Sequence, residues 1–110
     1  MIKNNAAKGW VMLGVDADVF ETDPSTADYI LTSVEKKIDT GVYTTLMDAA
    51  NNPDSFDFAP YVGTLENDGV DLAPFHNYES KVDPALQGEL DAIKAGIKDG
   101  SIPVKSYLNQ

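Results

Sequence analysis

From Asp23 to Ala50 the chain reads DPSTADYILTSVEKKIDTGVYTTLMDAA, and how this stretch folds decides the architecture. Asp23-Pro24 joins a capping side chain to a proline suited to the first helical position. Apolar residues at Ala27, Ile30, Leu31, Val34, Ile38, Val42, Leu46 and Ala49 keep helical spacing, widened by Tyr29, Tyr43 and Met47. The spacing predicts one long helix over 24–50, weakened locally at Gly41 and stopped by Asn51-Asn52-Pro53.

Upstream, Trp10-Val11-Met12-Leu13-Gly14-Val15 is an apolar run too short for a helix. It predicts a strand buried on both faces, as in parallel sheets. Downstream, residues 52–60 read as a loop anchored by Phe56 and Phe58. Tyr61–Leu65 and Val70–Ala73 are expected strands, joined by a turn at Glu66-Asn67-Asp68-Gly69 in which Gly69 takes positive φ. Asp83-Pro84 repeats the cap-and-proline signal before a shorter helix with the stripe Leu86, Leu90, Ile93 and Ile97. Glu89 and Asp91 lie early and Lys94 and Lys98 late, as the helix dipole favours, and Gly100 closes it. Ile102-Pro103-Val104 reads as a short extended tail. The order is α/β: one long and one shorter helix with three to four short strands, in a single unit over 1–110.

Composition narrows the function by exclusion. At 110 residues and 43% hydrophobic the chain is long enough for one core. It has no cysteine, which removes disulfides, thiolate zinc sites and cysteine catalysis, and one histidine cannot build a multi-histidine metal centre. No motif calls for a cofactor. Eighteen acidic residues against eight basic ones give a net charge of −10, which argues against nucleic acid and anionic membranes as partners. The first residues carry no apolar signal segment, so the chain as written is expected in the cytoplasm. Ala6-Ala7-Lys8-Gly9 reads as the last turn of a helix, which gives the expectation of a truncated chain.

The acidic cluster after the first strand is the most informative feature. In open α/β sheets ligands bind beyond the carboxyl ends of strands, where Asp16 and Asp18 fall. Two residues apart, both are expected to face one crevice, and a carboxylate there accepts hydrogen bonds from a sugar diol. The competing reading is a solvated acidic loop that caps the next helix. Calcium is rejected, because Phe20 stands where a third oxygen ligand belongs and no glycine follows. Lys36 and Lys37, inside the expected helix, read as surface residues, with Lys36 near Asp39 or Thr32. His76 stands alone in a loop without a nearby acid and reads as packing. No nucleophile elbow, Ser-His-Asp order or phosphate loop is present, so catalysis is not expected.

Four blocks carry a resemblance: Gly14-Val15-Asp16-Ala17-Asp18, Ile30–Asp39, Gly63–Pro74 and Ile97–Val104. In this order and spacing the chain, from about Ala6 to Val104, resembles the C-terminal part of the basic membrane lipoprotein family. Those are purine-nucleoside-receptor-like substrate-binding proteins of ABC transporters. The resemblance implies a type I periplasmic-binding-protein fold, in which two Rossmann-like lobes close on a ligand. It implies a periplasmic or lipid-anchored location and an ABC permease as partner. It also implies that Asp16 binds ribose hydroxyls and that Lys36 faces the cleft, with Asp18 at a further motif position. In the family the chain crosses between lobes after the Gly-Val-Asp strand, and an N-terminal portion supplies the base-stacking aromatic. Val19 replaces a usual glutamine, and Lys37 stands where arginine is common.

The function expected is therefore solute binding for import, of a purine nucleoside or related sugar, by a form lacking the complete site. Alternatives are a cytoplasmic ligand-sensing domain of the same fold and a non-binding assembly module. Uncovered apolar faces in such a fragment predict self-association.

Overall fold

The structure, a computed structural model, describes residues 8–104. The chain divides into two compact units, Met1–Glu79 and Ser80–Gln110. Of the expected helix end Ala6-Ala7-Lys8-Gly9, Ala6 and Ala7 lie outside the described residues, and Gly9 adopts a positive φ of 69°.

The first unit is built on three strands: β1 (Met12–Asp16), β2 (Ile30–Lys36) and β3 (Val70–Leu72), in the order β1-β2-β3. β1 and β2 run parallel, with Gly14 opposite Ser33, Val15 opposite Val34 and Asp16 opposite Glu35. β3 returns antiparallel, pairing Val34 with Leu72 and Lys36 with Val70. A single-turn helix α1 (Val19–Thr22) and a 3-10 turn over Pro24–Tyr29 connect β1 to β2. Helix α2 (Ile38–Asn51) follows β2 at once, and a second 3-10 turn, His76–Tyr78, follows β3. The α/β class expected from sequence is the class observed.

The long helix is the main correction. Residues 24–50 form a 3-10 turn, a strand and a 14-residue helix in succession. The reason lies in the spacing itself. Ile30, Val34, Ile38, Val42 and Leu46 are four apart, and a step of four satisfies a period of 2 as well as 3.6. The residue that discriminates is Thr32: Ile30, Thr32 and Val34 are a β-branched set on alternate positions, which favours extended backbone. The cap at Asp23 is real, since its carboxylate accepts the Ser25 N–H at 3.2 Å, but it opens the 3-10 turn. The family's implied crossing between lobes after the Gly-Val-Asp strand also differs from what is seen, because β1 and β2 are neighbours in one sheet.

β2 is the centre of this unit. Ile30 and Ser33 are almost fully buried, and Ala73 and Phe75 complete the core beside them. The two buried hydroxyls of β2 both have partners. Thr32 Oγ1 donates to the Ala73 carbonyl at 2.6 Å, and Ser33 Oγ accepts the Val19 N–H at 3.0 Å. Gly14 is buried because α1 lies close over β1: a Cβ there would come within 2.6 Å of Val19 Cγ2 and would collide with Ser33 Oγ. The other face of the sheet is open. Leu13, Val15 and Val34 are 60%, 63% and 46% exposed, so β1 is not buried on both faces as its composition suggests.

Tyr61–Leu65 forms no strand. Asn67 organises the segment instead, accepting the Thr64 N–H at 2.8 Å and donating to the Val62 carbonyl at 2.9 Å. The positive φ of the turn falls on Asp68 (54°), not on Gly69. Gly69 is required for another reason, as its backbone lies so close to Gly63 that any Cβ would collide. Its carbonyl then accepts the Lys37 N–H at 3.0 Å, tying this loop to the start of α2.

In the second unit α3 spans Leu86–Lys98. The Asp83-Pro84 signal sits one turn upstream of it, where Asp83 accepts the Ala85 N–H at 2.9 Å. The segment after α3 is not extended. Gly100, at φ 79°, reverses the chain, and the Ile102 N–H donates to the Gly96 carbonyl at 2.8 Å. The Ser101 side chain and backbone hold the exposed Asp99 carboxyl below its usual range.

Candidate functional site

β1 and β2 are parallel, so their carboxyl ends finish side by side. Asp16 is the last residue of β1 and adopts φ 79°, in the left-handed region that aspartate visits more readily than most non-glycine residues. Lys36 is the last residue of β2, one beyond the partner of Asp16 in the ladder. Its Nζ lies 2.7 Å from Asp16 Oδ1, and the two side chains remain 64% and 63% exposed. An ammonium and a carboxylate thus stand together at the sheet end and open to solvent. Between them they offer acceptors and donors to a hydroxylated ligand.

The strand ends carry further charge. Glu35 Oε2 accepts from Lys37 Nζ at 2.6 Å, and Asp71 is the ladder partner of Glu35. The bond to Glu35 chiefly raises the Lys37 pKa, with smaller contributions from the charges of Glu35, Asp71 and Asp39, against a partial loss of hydration. Lys36 is therefore at a strand end facing Asp16, and not on a helix beside Asp39 and Thr32 as its spacing suggests.

Asp18 and Asp16 do not share a crevice. Asp18 turns inward and caps α1, its Oδ1 accepting the Phe20 N–H at 3.1 Å. Its Oδ2 lies 2.6 Å from His76 Nε2. An ionised carboxylate only accepts, so that nitrogen carries the proton. The imidazole is stacked on Phe20, ring centroids 4.0 Å apart and planes 5° apart. The pair is mostly covered, with side-chain exposures of 18% for His76 and 12% for Asp18. Each Asp18 oxygen already has a partner within the protein, so this aspartate serves the loop and Asp16 alone is presented outward.

His76 is the residue that sequence reading missed. Asp18 lies 58 positions away, and no local signal joins them. Among the described residues no group of three or more histidine, aspartate or glutamate side chains is placed to hold a metal ion. No helix among them is long and apolar enough to cross a membrane. Comparison with protein-family models, curated proteins and solved structures returns no match.

Proposed function

We propose that the chain is a solute-binding element of an ABC importer receptor, taking a purine nucleoside or a related sugar without turnover. The observation that carries this reading is the Asp16–Lys36 pair, exposed at the carboxyl ends of two parallel strands. That edge is where open α/β sheets bind ligands. A carboxylate there accepts the two hydroxyls of a ribose diol, and the neighbouring lysine donates to a ring or hydroxyl oxygen. The resemblance of the four sequence blocks to the basic membrane lipoprotein family supports the same two residues, a type I periplasmic-binding-protein fold and an ABC permease as partner. On this reading the remaining ligand contacts come from outside the described residues.

Thermal-shift measurements with inosine, adenosine, guanosine and ribose test it. A binder gains stability as RT ln(1 + [L]/Kd), and Asp16→Asn removes that gain. No shift with any of the four at millimolar concentration contradicts the proposal.

The open sheet face supports a second element of this reading, self-association. Leu13, Val15 and Val34 are exposed on one face, and a second copy covering them removes apolar surface from water. Sedimentation equilibrium reads this directly: a monomer mass independent of concentration rejects it.

A further inference from the structure

We propose that His76 is a positioning residue for the ligand site, a latch that holds Asp16 in its outward, left-handed conformation through Asp18. The inference rests on the ligand-binding role proposed for Asp16. Aspartate visits the left-handed region more readily than most non-glycine residues, and its surroundings decide whether it is held there. What surrounds Asp16 is a short, anchored loop. Two residues on, Asp18 is held by His76 at 2.6 Å on one oxygen and by the Phe20 N–H at 3.1 Å on the other. Val19 between them donates to the buried Ser33 hydroxyl at 3.0 Å. The loop therefore leaves Asp16 with little backbone freedom.

The latch has its own anchors. His76 also adopts positive φ, at 46°, and its side-chain bond reaches Asp18, two residues beyond the positive-φ Asp16. Phe20 lies flat on the imidazole at 4.0 Å and fixes the ring plane in which Nε2–H points at Asp18. The turn that His76 begins is tied a second time to the β1–β2 connection. Tyr78 donates its hydroxyl hydrogen to the Asp28 carbonyl at 2.8 Å, and Asn77 donates to the Asp28 carboxylate at 3.3 Å. Both halves of the connection between the two ligand-bearing strands are strapped to the segment after β3. The second aspartate of Gly14-Val15-Asp16-Ala17-Asp18 thereby acquires a role that its exposure alone does not suggest: it transmits the grip of His76 to Asp16.

Two variants separate the bond from the packing. His76→Phe keeps a flat ring against Phe20 and removes the donor; His76→Gln removes the ring and keeps an Nε2–H in reach of Asp18. Two quantities are read in the full chain: the intraresidue HN–Hα NOE of Asp16, strong at positive φ, and the Kd for inosine. The expected result is loss of the strong NOE and about tenfold weaker binding in His76→Phe, with both retained in His76→Gln. The Ala73 amide reports that β2 and β3 remain paired. If His76→Phe unfolds, His76→Asn takes its place, since asparagine tolerates the left-handed backbone and its amide falls short of Asp18. A His76→Phe variant that keeps the Asp16 NOE overturns the latch, as does a His76→Gln variant that loses it equally. If wild-type chain binds no inosine while the NOE still depends on the His76 donor, the latch stands and the nucleoside reading falls.

Discussion

The Lys36 ammonium meets the Asp16 carboxylate at 2.7 Å across two adjacent parallel strands, and both side chains stay open to solvent. Exposed ion pairs contribute about 0–1 kcal/mol to stability, so this contact is not what holds the sheet together. Its exposed placement at the carboxyl ends of two parallel strands fits a different role.

Asp16→Asn and Lys36→Met accordingly leave urea-unfolding midpoints close to wild type while weakening nucleoside binding by at least about tenfold, the loss of one charge-assisted bond. Calorimetry read beside chemical denaturation checks both halves. A stability loss above about 2 kcal/mol with unchanged binding assigns the pair a structural role instead.

Gly14→Ala places a methyl group against Ser33 Oγ and within 2.6 Å of Val19 Cγ2. Ser33 is fully buried and cannot step aside without losing its bond to the Val19 N–H. The expected cost is about 1–3 kcal/mol, read as a lower denaturation midpoint at unchanged m-value. A neutral substitution contradicts the close packing of α1 on β1.

Thr32→Val keeps the shape of the side chain and deletes the 2.6 Å bond to the Ala73 carbonyl. The buried carbonyl loses a donor, and stability falls by about 1–3 kcal/mol. Faster hydrogen exchange at the Ala73 amide, which itself donates to Ser33 O at 2.9 Å, accompanies the loss.

Lys37 supplies a pH dependence with a defined sign. Its folded pKa is raised chiefly by the hydrogen bond to Glu35. The stability it contributes is therefore fully present below the unfolded lysine pKa, about 10.4, and is lost as pH rises through the higher folded value. Denaturation midpoints of wild type fall across that alkaline window. Lys37→Met flattens that part of the fall, an effect kept small by the partial exposure of the pair and reduced further by salt.

The α/β class, β1, β3 and α3 were readable because each has a local signal: an apolar run, alternation, or a helical stripe behind a proline. The stretch 24–50 misleads because a four-residue repeat satisfies both periods, and the single discriminating residue, Thr32, is polar and so drops out of a hydrophobic pattern. Asp16 was readable as a ligand candidate from its place after a strand. Its partner was not, because Lys36 reaches it only once 30–36 is a strand beside β1. The Asp18–His76 bond had no sequence signal at all, being a contact between a loop and a turn 58 residues apart.

The most direct test is a titration of the isotope-labelled chain with inosine, followed through backbone amide shifts. The account predicts saturable shifts that are largest at Asp16, Ala17, Lys36 and Lys37, and that vanish in Asp16→Asn. Shifts that leave these four residues unmoved, or no shifts at millimolar inosine, contradict it.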